Sequence, residues 1–242
     1  MDRVIYLAMA GAKASMQRQD VIAHNLANAS TTGFRAELTA FRAVPVQGDG
    51  ASTRVFSIET TPGYNPEPGP VAATGRNLDV AVTGNSWLSV QALDGTEAYT
   101  RNGALDVNAE GLLVTRTGQT VVGDGGPITV PANASVLIGA DGTVTATVAG
   151  GRPQGIGRLK LVTPEAPLQR GEDGLFRAAD GADLPADATA RVQTEALEGS
   201  NVSPVESMVA MIAAARQFEQ QMKMLSTSQE REQSATRLLS SS

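Results

Sequence analysis

The two long helical patterns of this sequence stand at its opposite ends, with every other kind of texture between them. Near the start, Ile5, Met9, Ala12, Met16, Gln19, Ala23 and Leu26 recur at alternating steps of four and three, the seam of an amphipathic helix whose one polar member is Gln19. Near the end, Ser203-Pro204-Val205-Glu206 has the form of a capping box with proline at the first helical position, so a helix begins there. Met208, Met211, Ala215, Phe218, Met222 and Leu225 then follow at steps of three and four, and Val205, Val209 and Ile212 widen the stripe at its beginning. Past Leu225 the row turns polar at Gln229 and Glu232. Helices supplied by the two ends predict a coiled-coil pair into which the rest of the chain is inserted. Such a pair covers one face of each helix only, so full burial of these stripes calls for further helices from other copies or other subunits.

The inserted stretch has two textures. Residues 45–76 are rich in Pro, Gly, Ser and Thr without helical period, as in PVQGDGASTR and PGYNPEPGP, and the stretch 36–77 reads as an extended arm or linker. From Leu78 onward short β-branched runs recur (LDVAV, WLSVQ, TVV, ITV, SVLIG, TVTATV, RLKLV), separated by turn signals such as Asp94-Gly95, Glu110-Gly111, Asp124-Gly125 and Asp141-Gly142. The predicted class is α+β: an N-terminal helix in 1–35, the arm in 36–77, an antiparallel all-β domain in 78–199, and a C-terminal helix in 200–242.

Composition removes several functions. The formal charge of −6 gives no electrostatic footprint for nucleic acid, and no apolar run approaches the about 20 residues of a membrane span. Zero Cys and a single His argue against a zinc site and a disulfide framework. The opening VIYLAMAGA resembles a secretory leader, but Asp2 cancels Arg3 and the helical spacing runs on to Leu26, which predicts a retained helix. His24 reads as a packing or surface histidine, and no GxSxG elbow accompanies it. Gly123-Asp124-Gly125-Gly126-Pro127 lacks the helix a phosphate loop requires and reads as a tight turn. Asp173, Asp180, Asp183 and Asp187 match no EF-hand spacing and read as a solvated acidic loop. Neither a cofactor, a metal nor a catalytic residue is expected. Trp87 and Tyr99 are the one pair that could form a sugar platform, which leaves a periplasmic polysaccharide-binding β-domain as the reading from another class.

Three stretches carry a resemblance. NLANASTTGFR, LEGSNVSPVESMVAMIAAARQFEQQMKML and, between them, TGRNLDVAVTGNSWLSV are similar to signature segments of bacterial flagellar rod and hook proteins, in the same order. Within that family MDRVIYLAMAGA, FRAVPV, EAYTRNG, GDGGPI, LKLV and RGEDGLFR resemble the proximal-rod branch more than the distal rod or the hook. The resemblance implies a non-catalytic axial subunit of the periplasmic rod, exported unfolded through the flagellar type III apparatus without a cleaved signal. Its partners would be copies of itself and other rod proteins, its terminal helices the inner tube. The interface residues would then be Ile5, Met9, Ala12, Met16, Ala23, Leu26, Met208, Met211, Ala215, Phe218, Met222 and Leu225. Asn28 and Gly33 suit the turn that ends the first helix, and Asn25, Asn28, Ser200 and Asn201 are expected to hydrogen-bond to neighbouring subunits.

Overall fold

The computed structural model describes residues 2–45 and 55–240, with side chains described for 8–40, 63–231 and Ser234. Contacts divide the chain into two units: Met1–Ala29, Glu37–Pro62 and Val202–Ser242 form one, Ser30–Ala36 and Gly63–Asn201 the other.

The first unit holds both long helices. Helix α1 covers Asp2–Ala27 and α2 covers Pro204–Ser240, and the two pack against each other. At the start of α2 the Glu206 N–H donates to Ser203 Oγ at 3.4 Å and Ser207 N–H to the Ser203 carbonyl at 3.0 Å, so the capping residue performs the task its position suggests. Helix α1 stops where Asn28 turns its Nδ2 back onto the His24 carbonyl at 3.0 Å, which satisfies one of the orphan acceptors at the helix end.

The rows buried in this unit are displaced from the predicted seam. On α1, Ala8, Ala12 and Ser15 are buried and Gln19, Ile22 and Leu26 half-buried, again at steps of four and three. Met9, Met16 and Ala23 are exposed. On α2 the less exposed row is Ser207, Met211, Ala214, Phe218, Gln221, Leu225 and Ser228, with Ala215 half-buried and Met208 and Met222 exposed. Small side chains explain the shift: a Cβ on Gly11 would lie only 3.0 Å from Gln221 Cδ, so α2 packs tightly against α1 at the position with least bulk. The larger methionines are turned outward. Ile5 lies in α1, and its side chain falls outside the described residues.

The arm differs from expectation. Strands β1 (Glu37–Pro45) and β2 (Val55–Tyr64) pair with each other, and β3 (Val71–Ala73) also joins a sheet. ELTAFRAVP and VFSIETTPGY carry enough β-branched and aromatic residues to pair despite the surrounding Pro and Gly. The PVQGDGASTR portion of the predicted arm lies, from residue 46 to 54, outside the described residues.

The second unit is antiparallel β-structure, as the turn spacing predicts. Its largest sheet is built from β5 (Trp87–Gln91), β6 (Glu97–Thr100), β7 (Leu105–Val107), β8 (Leu113–Thr115), β9 (Thr120–Gly123), β10 (Gly126–Pro127), β14 (Leu161–Val162), β15 (Gln169–Arg170) and β16 (Phe176–Arg177). A three-stranded sheet holds β11 (Ala134–Ile138), β12 (Thr143–Val148) and β13 (Gln154–Arg158) in that order. The returning strands β17 (Val192–Thr194) and β18 (Ala196–Glu198) pair with β4 (Val80–Val82) and β3, respectively. Strand β5 is buried on both faces: Leu88 and Val90 join the main core with Val80, Leu105, Leu113, Val121, Val144 and Leu161, whereas Trp87 joins a second cluster with Tyr99, Val162, Leu168 and Phe176. Three of the four turn dipeptides place their glycine at positive φ, Gly95, Gly111 and Gly142 at 83°, 80° and 85°, whereas at Asp124-Gly125 the positive φ of 108° falls on the next residue, Gly126.

Candidate functional site

Two features stand out, one in each unit. In the β unit, three charged residues from distant parts of the chain meet in the interior. Glu198, at the end of β18, is 1% exposed; its Oε1 accepts from Arg35 Nη2 at 2.8 Å and from the Gly69 N–H at 3.1 Å. Its Oε2 accepts from Arg101 Nε at 2.8 Å and Arg101 Nη2 at 2.6 Å. Arg101 Nη1 continues to the carbonyls of Gly84, at 3.0 Å, and Ser86, and Arg35 Nη1 to the carbonyl of Glu67. Burial pulls the Arg35 pKa below its ordinary value, Glu198 opposes that shift, and the neighbouring Arg101 adds to it.

Backbone geometry makes room for this cluster. Gly33 has φ +69°, and a Cβ there would sit 2.3 Å from the Arg101 carbonyl carbon. Only glycine fits. The Gly33 N–H donates to the Glu198 carbonyl at 2.8 Å, Asn201 N–H to the Phe34 carbonyl at 3.2 Å, and Ala36 N–H to Asn201 Oδ1 at 2.6 Å. Phe34 is itself buried, with the Arg170 guanidinium 4.3 Å over its ring. Residues 33–36, which follow α1 in sequence, are thus laced to residues 198–201, which precede α2.

In the helical unit the feature is uncovered apolar surface. Val205, Met208, Val209 and Ile212 occupy positions i, i+3, i+4 and i+7 of α2 and are 71%, 54%, 62% and 57% exposed. Met222 and Met224 continue along α2, and Met9 and Met16 stand one heptad apart on α1, all about half exposed or more.

The asparagines have their bonds inside the chain. Asn25 Nδ2 donates to the Glu37 carbonyl at 2.9 Å and its Oδ1 accepts the Glu37 N–H at 2.8 Å, a two-point clip between α1 and the start of β1. Asn201 Nδ2 donates to the carbonyls of Asn65 and Glu67 at 3.1 and 2.8 Å, and Ser200 is buried. These bonds shape the chain's own turns. His24 Nδ1 lies 3.2 Å from a Glu37 carboxylate oxygen, a partner 13 residues away that the helix pattern alone does not reveal.

The remaining candidates are structural. Trp87 and Tyr99 are 4% and 1% exposed, so these two form no sugar platform: Trp87 packs with Tyr64 and Phe176 at ring separations of 5.7 and 4.6 Å, and Tyr99 Oη accepts the Leu184 N–H. Burial pushes the Tyr99 phenol up to about 12. Gly123–Pro127 is the turn between β9 and β10. Asp173 is held by Arg177, Asp187 accepts from the hydroxyls of Thr163 and Thr189, and Asp180 accepts the Ala182 N–H, so these three acidic residues serve separate bonds.

Arg35, Arg101 and Glu198 escape a reading by chemistry, because no reactive group accompanies them. A signal is nonetheless present: each charge lies within two residues of a glycine, in GFR, RNG and EG. Glycine admits close backbone approach, as Gly33 does against Arg101, but the exposed charges beside Gly95, Gly111 and Gly142 show that the neighbouring glycine alone does not mark a buried one.

Comparison with known families follows the same three segments. Residues 5–35 match the model for "Flagella basal body rod protein", residues 81–146 that for "Flagellar hook protein FlgE/F/G D1 domain", and residues 193–238 that for "Flagellar basal body rod FlgEFG protein C-terminal". Fold and matches together define the class, the rod and hook proteins of the bacterial flagellum, and the buried cluster takes one charge from each matched segment. The chain is 50% identical to the flagellar basal-body rod protein FlgF of Salmonella typhimurium and 47% identical to that of Escherichia coli, with all of both chains covered in each case. The flagellar basal-body rod protein FlgG of Agrobacterium fabrum is 32% identical over 94% of this chain and 96% of its own. The chain belongs to the FlgF family of flagellar basal-body rod proteins, structural subunits and not enzymes.

Proposed function

We propose that this chain is a subunit of the proximal rod that assembles through its terminal helices. In this reading α1 and α2 form a coiled-coil pair, and helices of neighbouring copies and of other rod proteins cover its outward rows. The resulting tube carries torque and conducts exported subunits, and the chain reaches it through the flagellar export apparatus with its N-terminus retained. Met9, Met16, Ala23, Met208 and Met222 are outward interface residues, and Ile5 belongs to the same row. Ala12, Leu26, Met211, Ala215, Phe218 and Leu225 belong to the pair's inner side or its edge. Asn25, Asn28, Ser200 and Asn201 act from within, fixing the turns beside the helices.

One observation carries this reading: the four consecutive apolar positions Val205, Met208, Val209 and Ile212, each more than half exposed. Ordinary monomers rarely leave a continuous apolar row in water, and such a row marks an interaction surface. The test is a V209D/I212D double variant, which should fail to enter basal bodies and abolish swimming while the melting transition reported by Trp87 stays in place. Normal swimming by that variant would refute the reading.

A further inference from the structure

The chain has seven methionines and no cysteine, and every one of its sulfur atoms belongs to the terminal segments. None occurs between residues 17 and 207. Met9, Met16, Met208, Met222 and Met224 are 54%, 58%, 54%, 45% and 55% exposed, whereas Met211 is turned into the less exposed row of α2. We propose that these five thioethers form an oxidation-sensitive modification site on the assembly surface, open in the free chain and closed by incorporation. The proposal rests on the assembly reading given above.

The chemistry needs a peroxide. A methionine sulfur lone pair attacks one oxygen of hydrogen peroxide, the O–O bond breaks, and the products are one sulfoxide and one water. The sulfur is oxidised by two electrons and the peroxide is reduced by two. A flexible apolar side chain becomes a strongly polar one. The free helices tolerate this, because the five side chains already face water. Burial against a neighbouring helix does not, since a sulfoxide oxygen without a donor must then be desolvated. Each sulfoxide in a closing contact should weaken association about tenfold or more. Methionine sulfoxide is reducible, so the block is reversible.

The test uses the purified full-length chain, treated with hydrogen peroxide and read by peptide mass spectrometry and by sedimentation across a concentration series. Met9, Met16, Met208, Met222 and Met224 should oxidise several-fold faster than Met211, helical circular dichroism should persist, and concentration-dependent association should fall at least about tenfold. Methionine sulfoxide reductase should restore it. A variant with all five changed to leucine, compared with its own untreated state so that any change in basal association is taken out, should show no fall in association on peroxide treatment. Undiminished association of the oxidised parent, or equal loss in the leucine variant, overturns the proposal and leaves the assembly reading intact. Association of V209D/I212D equal to the parent, or none by the untreated parent, overturns the assembly reading and this proposal with it.

Discussion

In the β unit Val80, Leu88, Val90 and Leu105 are 0% exposed, whereas in the helical unit Val205 and Val209 are 71% and 62% exposed. The same residue types therefore meet opposite fates within one polypeptide. Sheets stacked on a shared interior can close over their own apolar faces, and the β unit even spends a buried carboxylate on two arginines to hold its closure. Two helices alone cannot wrap each other, and small residues such as Ala8, Ala12 and Ser15 bury little area even where they are covered. One unit buries its own apolar residues and the other leaves a row of them exposed. The two report separately: Trp87, the single tryptophan, belongs to the β unit, and α1 and α2, the helices of the described residues, dominate helical circular dichroism.

The sharpest way to break this contrast is Glu198→Gln. Removing the carboxylate leaves Arg35 and Arg101 buried without their counter-ion, a change that should destabilise the β unit by about 3–5 kcal/mol and lower its Trp87 melting temperature by roughly 10 °C. An unchanged Trp87 transition would show that the cluster does not hold the unit together. Next in size is Gly33→Ala, where positive φ and the backbone of Arg101 leave no space for a methyl group. About 2–3 kcal/mol should be lost, in the same fluorescence transition. Asn25→Ala acts in the other unit. It deletes both hydrogen bonds to Glu37, so about 1–2 kcal/mol should disappear from the helical signal with the Trp87 transition unmoved.

The smallest effect is electrostatic. Hydrogen bonds from the Thr163 and Thr189 hydroxyls hold Asp187 down at about 2, against an ordinary 3.8. Because the folded pKa is the lower one, its contribution is complete above the unfolded value and is lost as pH falls from about 3.8 through about 2. Asp187→Asn should flatten that part of the acid-denaturation curve of the β unit, measured by Trp87 fluorescence, and leave neutral-pH stability of the helical signal alone.

Much of this architecture is legible in the residues. The capping box at Ser203 marks the start of α2, the alternating steps of four and three mark both helices, and the Asp-Gly and Glu-Gly pairs mark hairpins. Which row of a helix turns inward is less legible. Hydrophobicity points to Met9 and Met16, but close approach favours the slimmer Ala8, Ala12 and Ser15, and size wins over apolarity when two backbones meet. The pairing of β1 with β2 is obscured because Pro and Gly recur through the stretch from 45 to 76 while the pairing depends on a few β-branched and aromatic positions. The charge cluster is the least legible feature, since Arg35 and Glu198 stand 163 positions apart and nothing local predicts that they touch.

That separation has a use for protein engineering. Arg35, Arg101 and Glu198 act as a single rivet through three widely spaced stretches, so the segments looping out between them are not asked to hold the joint. A foreign peptide spliced at the exposed turn around Gly150 and Gly151 should ride on the β unit without loosening it, which makes that turn a natural place to mount a tag on a rotating shaft.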